Sequence, residues 1–278
     1  MKLSLSVRIA ESFSDKEKVD MSFDQIVDLA SSLGYDAVCM RASVAGIRTP
    51  RSVLEDMRNR LDAAELAVSM VTGDFAVPRN DEHGPDGLRC ITPYLDLAES
   101  LGADLIRICM KRDDDIPWAQ RAADEAAERR IRLAHQAHCA SLFETVDDSL
   151  RVLRAVDRSN FGLIYEPANW MLSGQAYGAE AIRRVQPWLF NAYVQNHRLN
   201  PDGEASVESW ASERVYFDHI GIWESGGVNA EEVFGALRDV GYDGYVTVHQ
   251  AFAGIMSPPE AARRSFEYLR PLVSGRPS

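Results

Sequence analysis

Short apolar runs recur along this chain, and each gives way to a stretch with helical spacing. The runs predict strands at Leu3–Ile9, Ala37–Arg41, Ala67–Thr72, Leu105–Met110, Ile131–His138, Phe161–Glu166, Leu189–Asn196 and Tyr245–Gln250. Behind the first, apolar residues return at Ile26, Leu29, Ala30 and Leu33. Behind a later one they return at Leu150, Leu153 and Val156.

The junctions repeat as well. Gly34-Tyr35-Asp36, Gly102-Ala103-Asp104 and Gly241-Tyr242-Asp243 each stand between a helical stretch and an apolar run. A glycine there accepts the left-handed conformation that ends a helix. Helix starts are marked by Ser22-Phe23-Asp24-Gln25, Thr145-Val146-Asp147-Asp148 and Asn229-Ala230-Glu231-Glu232, and by proline in Thr49-Pro50 and Ser257-Pro258.

Alternating strand and helix argues for a parallel sheet, and eight such units closing on themselves make a (β/α)₈ barrel. The chain of 278 residues fits one barrel domain, residues 1–278. The alternative is an open, doubly wound sheet, but no G-x-G-x-x-G follows the first strand. Two connections exceed the usual few residues, Gly73 to about Gly87 and Arg198 to about Gly227. Both follow strands and so lie on the face where barrels keep their sites. Trp210 and Trp223 make the second a candidate substrate cover, against surface decoration.

Composition narrows the partners. A formal net charge of −12 opposes nucleic acid and anionic membranes. Cys39, Cys90, Cys109 and Cys139 form no C-x-x-C pair, and the start of the chain does not read as a secretory signal, so a cytoplasmic location is expected. The Arg- and Ala-rich stretch Ala119–Arg132 reads either as a pairing face of a homo-oligomer or as a solvated helix face.

Chemistry concentrates where the strands end. The fifth ends in His135-Gln136-Ala137-His138, the sixth in Glu166-Pro167-Ala168-Asn169, the seventh in Gln195-Asn196-His197-Arg198, the eighth in His249-Gln250. Each residue alone has a structural explanation, a satisfied core histidine or a surface ion pair. Four such ends on one face make a polar ring over an apolar core, which is an active-site arrangement.

In the segments Leu133–Thr145, Gly162–Asn169, Tyr193–Arg198 and Gly241–His249 the sequence resembles the xylose isomerase-like superfamily of sugar isomerases and epimerases. The resemblance implies a barrel enzyme whose strand ends bind one divalent metal, while carboxylates move a proton beside a sugar carbonyl. It maps the metal ligands onto Gln136, Glu166, Gln195 and His249, with His138 in the following His position and Asn169 in an Asn variant. Several carboxylates of the pattern are replaced: Gln136 and His249 stand where the pattern has Glu, and Arg41 where it has an acid on the second strand. One carboxylate, two amides and an imidazole would favour Zn²⁺, Mn²⁺ or Co²⁺ over Mg²⁺.

The expected function is proton transfer next to a carbonyl of a sugar or sugar-like small molecule, by isomerisation or epimerisation. Glu166, His249 and His138 are the candidate acid–base groups. Arg198, Asn169, His197, Arg107, Asp74 and Phe75 are the candidate substrate binders. A lyase acting on keto-sugars or their glycosides, and a non-catalytic sugar-binding barrel, are the competing readings. An abasic-site endonuclease shares the barrel, but the charge and the mere six histidines oppose it.

Overall fold

A computed structural model describes residues 1–12 and 15–275. Eight parallel strands close into a barrel: β1 (Lys2–Ser6), β2 (Ala37–Arg41), β3 (Ala67–Thr72), β4 (Leu105–Ile108), β5 (Arg132–Gln136), β6 (Phe161–Tyr165), β7 (Leu189–Val194) and, after a three-stranded ribbon described below, β11 (Tyr245–Val248). Around the ring the order is β1-β11-β7-β6-β5-β4-β3-β2, so β11 seals the barrel against β1. The open-sheet alternative is excluded.

The local signals work as the residues dictate. Gly34, Gly102 and Gly241 hold φ of +87°, +68° and +71°, and an apolar strand follows each. Ser22 and Gln25 form a reciprocal capping box, and Thr145 and Asn229 accept from the backbone N–H of Asp148 and Glu232. Pro50 sits one position earlier than expected, directly before the helix Arg51–Ala63.

The strands are shorter at their C-terminal ends than the apolar runs suggest. β4, β5, β7 and β11 each stop two residues early, and Val7–Ala10 turns into a 3-10 helix instead of extending β1. The chain leaves the hydrogen-bonded ladder where its side chains change from apolar to polar, and those residues rise to the mouth.

Side chains alternate between the barrel interior and the helices. Inside, Ser4 and Ser69 share a 2.6 Å hydrogen bond and Thr247 donates to Asn191 at 3.1 Å. Above them Cys39, Met70, Leu105, Ala134, Ile164 and Tyr193 form an apolar layer. Two residues further along their strands stand Arg41, Arg107, Gln136, Glu166 and Gln195, which period two returns to the interior, at the mouth. His135 points the other way and stacks on Phe143, ring centroids 4.2 Å apart.

The long connection after β7 is a three-stranded antiparallel ribbon, β8 (His197–Leu199), β9 (Ala205–Val207) and β10 (Val215–His219), with β10 in the middle. Buried Glu144 clamps its tip: its carboxylate accepts the Trp210 backbone N–H at 2.8 Å and the Ser209 hydroxyl. Trp223 is fixed against Phe252 and under Arg264, while Trp210 is 58% exposed. The connection after β3 holds two short helices, Ala76–Arg79 and Asp86–Arg89. The alanines of the Ala119–Arg132 stretch at 119, 122, 123 and 126 are buried in the core.

Candidate active site

Glu166 is wholly buried where β6 runs into the helix Pro167–Leu172. Its Oε2 accepts from the Gln136 side-chain amide and, at 2.6 Å, from the Asn169 side-chain amide. Asn169 is itself locked by donating to the Ala137 carbonyl at 2.9 Å. Glu166 Oε1 and Gln136 Oε1 are buried and have no hydrogen-bond partner. Burial pushes the Glu166 carboxyl up to about 7, against the opposing pull of Gln136, Arg107, Gln195 and Arg8. A carboxyl poised there exchanges protons near neutrality.

The opposite wall is cationic. Arg41 is 2% exposed and places Nε 2.7 Å from Glu11 Oε1. Arg8 reaches Glu11 Oε2 at 3.1 Å, and the Ser43 hydroxyl donates to Glu11 at 2.7 Å. Burial alone would raise the Glu11 carboxyl, but Arg41 and Arg8 hold it below the usual carboxylate range. Back on the Glu166 side, Arg107 of β4, 4% exposed, has its charge 6.0 Å from the Tyr193 ring centroid, and its Nε finds no partner. Lys16 donates to the Pro78 carbonyl, tying the connections after β1 and β3 together. Burial and the neighbouring arginines push its ammonium down to about 7.

His249 lies stacked on Tyr193, centroids 3.8 Å apart and planes 6° from parallel. Its Nε2 is 3.4 Å from Arg41 Nη1 and its Nδ1 3.2 Å from the Ser6 hydroxyl. A guanidinium only donates, so Nε2 is the acceptor and Nδ1 carries the proton. Burial and the surrounding cations hold the ring neutral, well below its ordinary range. His138 is half-buried, bonds the Cys139 carbonyl through Nδ1 at 2.8 Å, and is pushed down to about 3 by burial.

The barrel therefore brings together Gln136, Glu166, Asn169, Gln195, Arg107 and His249. It separates other residues read from the sequence as binders. Arg198 is exposed on the ribbon, where it donates to the Ser225 carbonyl. His197, the first residue of β8, is buried within the ribbon, its Nδ1 3.2 Å from that of His219. Asp74 is used by the Val77 N–H and the Tyr94 hydroxyl, and Phe75 lies beside the Arg79 guanidinium. Sequence reasoning missed Glu11, Arg8 and Lys16. Arg8 carried a usable signal, being a charged residue inside the apolar run Leu3–Ile9.

A barrel with one acid, two amides and arginines at its strand ends falls in a recognisable class. The chain belongs to the xylose isomerase-like TIM barrel family, whose profile matches residues 27–272. It is similar in fold to the probable 3-DHS dehydratase AsbF involved in petrobactin synthesis from Bacillus anthracis, with 15% identity, a TM-score of 0.72, and 97% of this chain and 99% of that one covered. It is similar to an IOLI protein crystallised with a zinc atom, at 15% identity, TM-score 0.72, with both chains covered completely (100%). It is also similar to a D-psicose 3-epimerase crystallised with D-fructose, at 15% identity and TM-score 0.68, covering 99% of this chain and 100% of that one. No curated protein sequence matches the chain. Among the described residues no helix is long and apolar enough to cross a membrane.

The family implies a divalent metal at these strand ends, and the side chains present decide whether it fits. Gln136 Oε1 and Glu166 Oε1 are open acceptors. The lone pair of His249 is directed at Arg41, and the charges of Arg41, Arg107 and Arg8 all act on the same small space. Among the described residues no three His, Cys, Asp or Glu side chains are grouped to hold a metal ion. One carboxylate and the amides of Gln136 and Gln195, with the His249 imidazole turned to Arg41 and guanidinium groups alongside, do not fit a divalent cation.

Proposed function

We propose that this barrel is an enzyme that moves a proton on the carbon next to a carbonyl of a sugar or sugar-like molecule, in the manner of an isomerase or epimerase. The observation that carries this reading is Glu166. It is buried, aligned by two amide donors on one oxygen, open on the other, and held near 7.

In the step envisaged, Glu166 Oε1 takes the proton as the C–H bond breaks. The electron pair moves into the carbonyl to give an enediolate. For isomerisation the protonated carboxyl returns the proton to the neighbouring carbon while the hydroxyl proton passes to the former carbonyl oxygen. For epimerisation a second group delivers a proton to the opposite face as Glu166 keeps the one it took. The oxyanion forms in the positive field of the mouth, where buried charge is weakly screened. Arg41 and Ser6 fix His249 as a neutral ring stacked on Tyr193, which makes it a wall and a positioning group for the substrate. His138, with its Nε2 lone pair available, is the second candidate acid–base group. Family membership and the epimerase and dehydratase neighbours support an enzyme. A lyase shares the first step, since the same enediolate can expel a leaving group from the next carbon.

The direct test is wash-out of substrate hydrogen into deuterium oxide, followed by proton NMR across a panel of keto-sugars and keto-acids. Exchange by the wild type should fall about 10²- to 10⁴-fold in Glu166→Gln. Unchanged exchange in that folded variant would sink the assignment and leave a binding barrel.

A further inference from the structure

Arg107 is the group at the mouth whose bonding stays unfinished. The residue is 4% exposed and its Nε is buried, yet among the described residues it makes no ion pair and no hydrogen bond. The other buried arginines of the mouth are both paired through Glu11. The contact with Tyr193 is electrostatic and satisfies none of the five N–H donors. Desolvating such a group without a partner costs stability, and a site that retains it has a use for it. By period two from Leu105, the side chain belongs to the barrel interior, and its charge acts on both Glu166 and His249.

We propose that Arg107 is the receptor for a carboxylate on the substrate, so that the molecule this barrel turns over is a hydroxylated keto acid and not a neutral sugar. The proposal rests on the proton-transfer reading and sharpens its substrate. Arg107 Nε and the acceptors Glu166 Oε1 and Gln136 Oε1 are all buried without partners, and the Arg107 charge reaches Glu166. A molecule with an anionic end and hydroxyl and C–H hydrogens at the other would complete both. The same arrangement accounts for the failed metal fit: fixed positive charge is already supplied by guanidinium groups. A guanidinium fork takes a carboxylate or a phosphate bidentately, so the choice between them rests on the rest of the site. No G-x-x-x-x-G-K-[ST] loop is present, and the connection after β11, Ala251 to Ser257, holds a single Gly, which favours the carboxylate.

The test compares acids with their own amides on the purified full-length protein: glucuronate against glucuronamide, gluconate against gluconamide, and a keto-gluconate, with inorganic phosphate as competitor. Calorimetry should find the acids bound about 10- to 100-fold tighter than the amides. The preference should collapse in Arg107→Gln and return in part in Arg107→Lys. It should persist in Glu166→Gln, which cuts proton exchange but keeps the Arg107 donors, so a failed acid–base assignment and a failed carboxylate site give different results. Equal binding of acid and amide, no binding of any acid at millimolar concentration, or displacement by phosphate as effective as by the acids would overturn the proposal. So would stoichiometric Zn, Mn or Co by mass spectrometry that disappears in Glu166→Gln. The acid–amide comparison on the wild type decides even if Arg107→Gln fails to fold.

Discussion

The two sides of the barrel mouth are built from the same residue types and are finished differently. On the β1–β2 side, Glu11 collects Arg41, Arg8 and the Ser43 hydroxyl, all within 3.1 Å. On the β4–β6 side, Glu166, Gln136 and Arg107 are as deeply buried, yet each keeps an unpartnered polar atom. A buried charge whose bonds close within the protein is architecture. A buried charge whose bonds end at the edge of a space is waiting for a ligand. Charge and burial alone do not separate the two cases; the completeness of the hydrogen bonding does.

The largest effect that would break this contrast comes from Glu11. Glu11→Ala would leave Arg41 and Arg8 without their shared carboxylate, and stability should fall by about 3–5 kcal/mol. Urea denaturation measures it, and a loss below about 1 kcal/mol would mean that the network does not hold the mouth together. Arg107→Met tests the other side with the opposite sign. It removes a buried charge that satisfies no protein partner, so stability should rise by about 1–2 kcal/mol while turnover falls. Destabilisation as large as that from Glu11→Ala would show that Arg107 is architectural.

The contrast also explains what the sequence could and could not reveal. Gly34, Gly102 and Gly241, the caps at Ser22, Thr145 and Asn229, and eight apolar runs are local signals, and they were enough for the barrel. Glu166, Gln136 and His249 were legible because strand ends on one face converge by topology. Glu11 was not, because it lies in an irregular turn after the Val7–Ala10 helix and meets Arg41 only through folding. Arg198 was misplaced because the segment after β7 pairs as a ribbon and carries it to the surface, away from the mouth. That Arg107 lacks a partner is a property of its whole surroundings, and no spacing along the chain encodes it.

An effect of similar size, confined to acid pH, separates the two faces of β5. His135 is buried against Phe143, and burial pushes it down to about 3, so the folded protein keeps it neutral. Below its ordinary value of 6.5 the unfolded chain takes up a proton that the folded chain refuses. Its contribution is therefore intact above that pH and lost as the pH falls. At pH 5 the difference is about 2 kcal/mol. His135→Phe, which keeps a ring against Phe143, should reduce the stability lost between pH 7 and pH 5 by about that amount. An unchanged acid limb in denaturation curves would place the proton elsewhere.

The smallest expected effect probes the open side at its centre. A base held near 7 makes kcat/KM rise with pH through neutrality and then level off, because only the carboxylate form of Glu166 accepts a proton. Arg107 favours that carboxylate, so Arg107→Gln should move the inflection to higher pH by a fraction of a unit, besides weakening binding. Lys16 also lies near 7, but its titration would change the field over the mouth without supplying the base, so Lys16→Met should keep the rising limb. The histidines at and around the mouth, His135, His138, His197 and His249, are all held below their ordinary range and do not titrate through neutrality. A rising limb that vanishes in Lys16→Met and stays fixed in Arg107→Gln would transfer the role of base away from Glu166. It would also mean that the open side of the mouth is not where the proton moves.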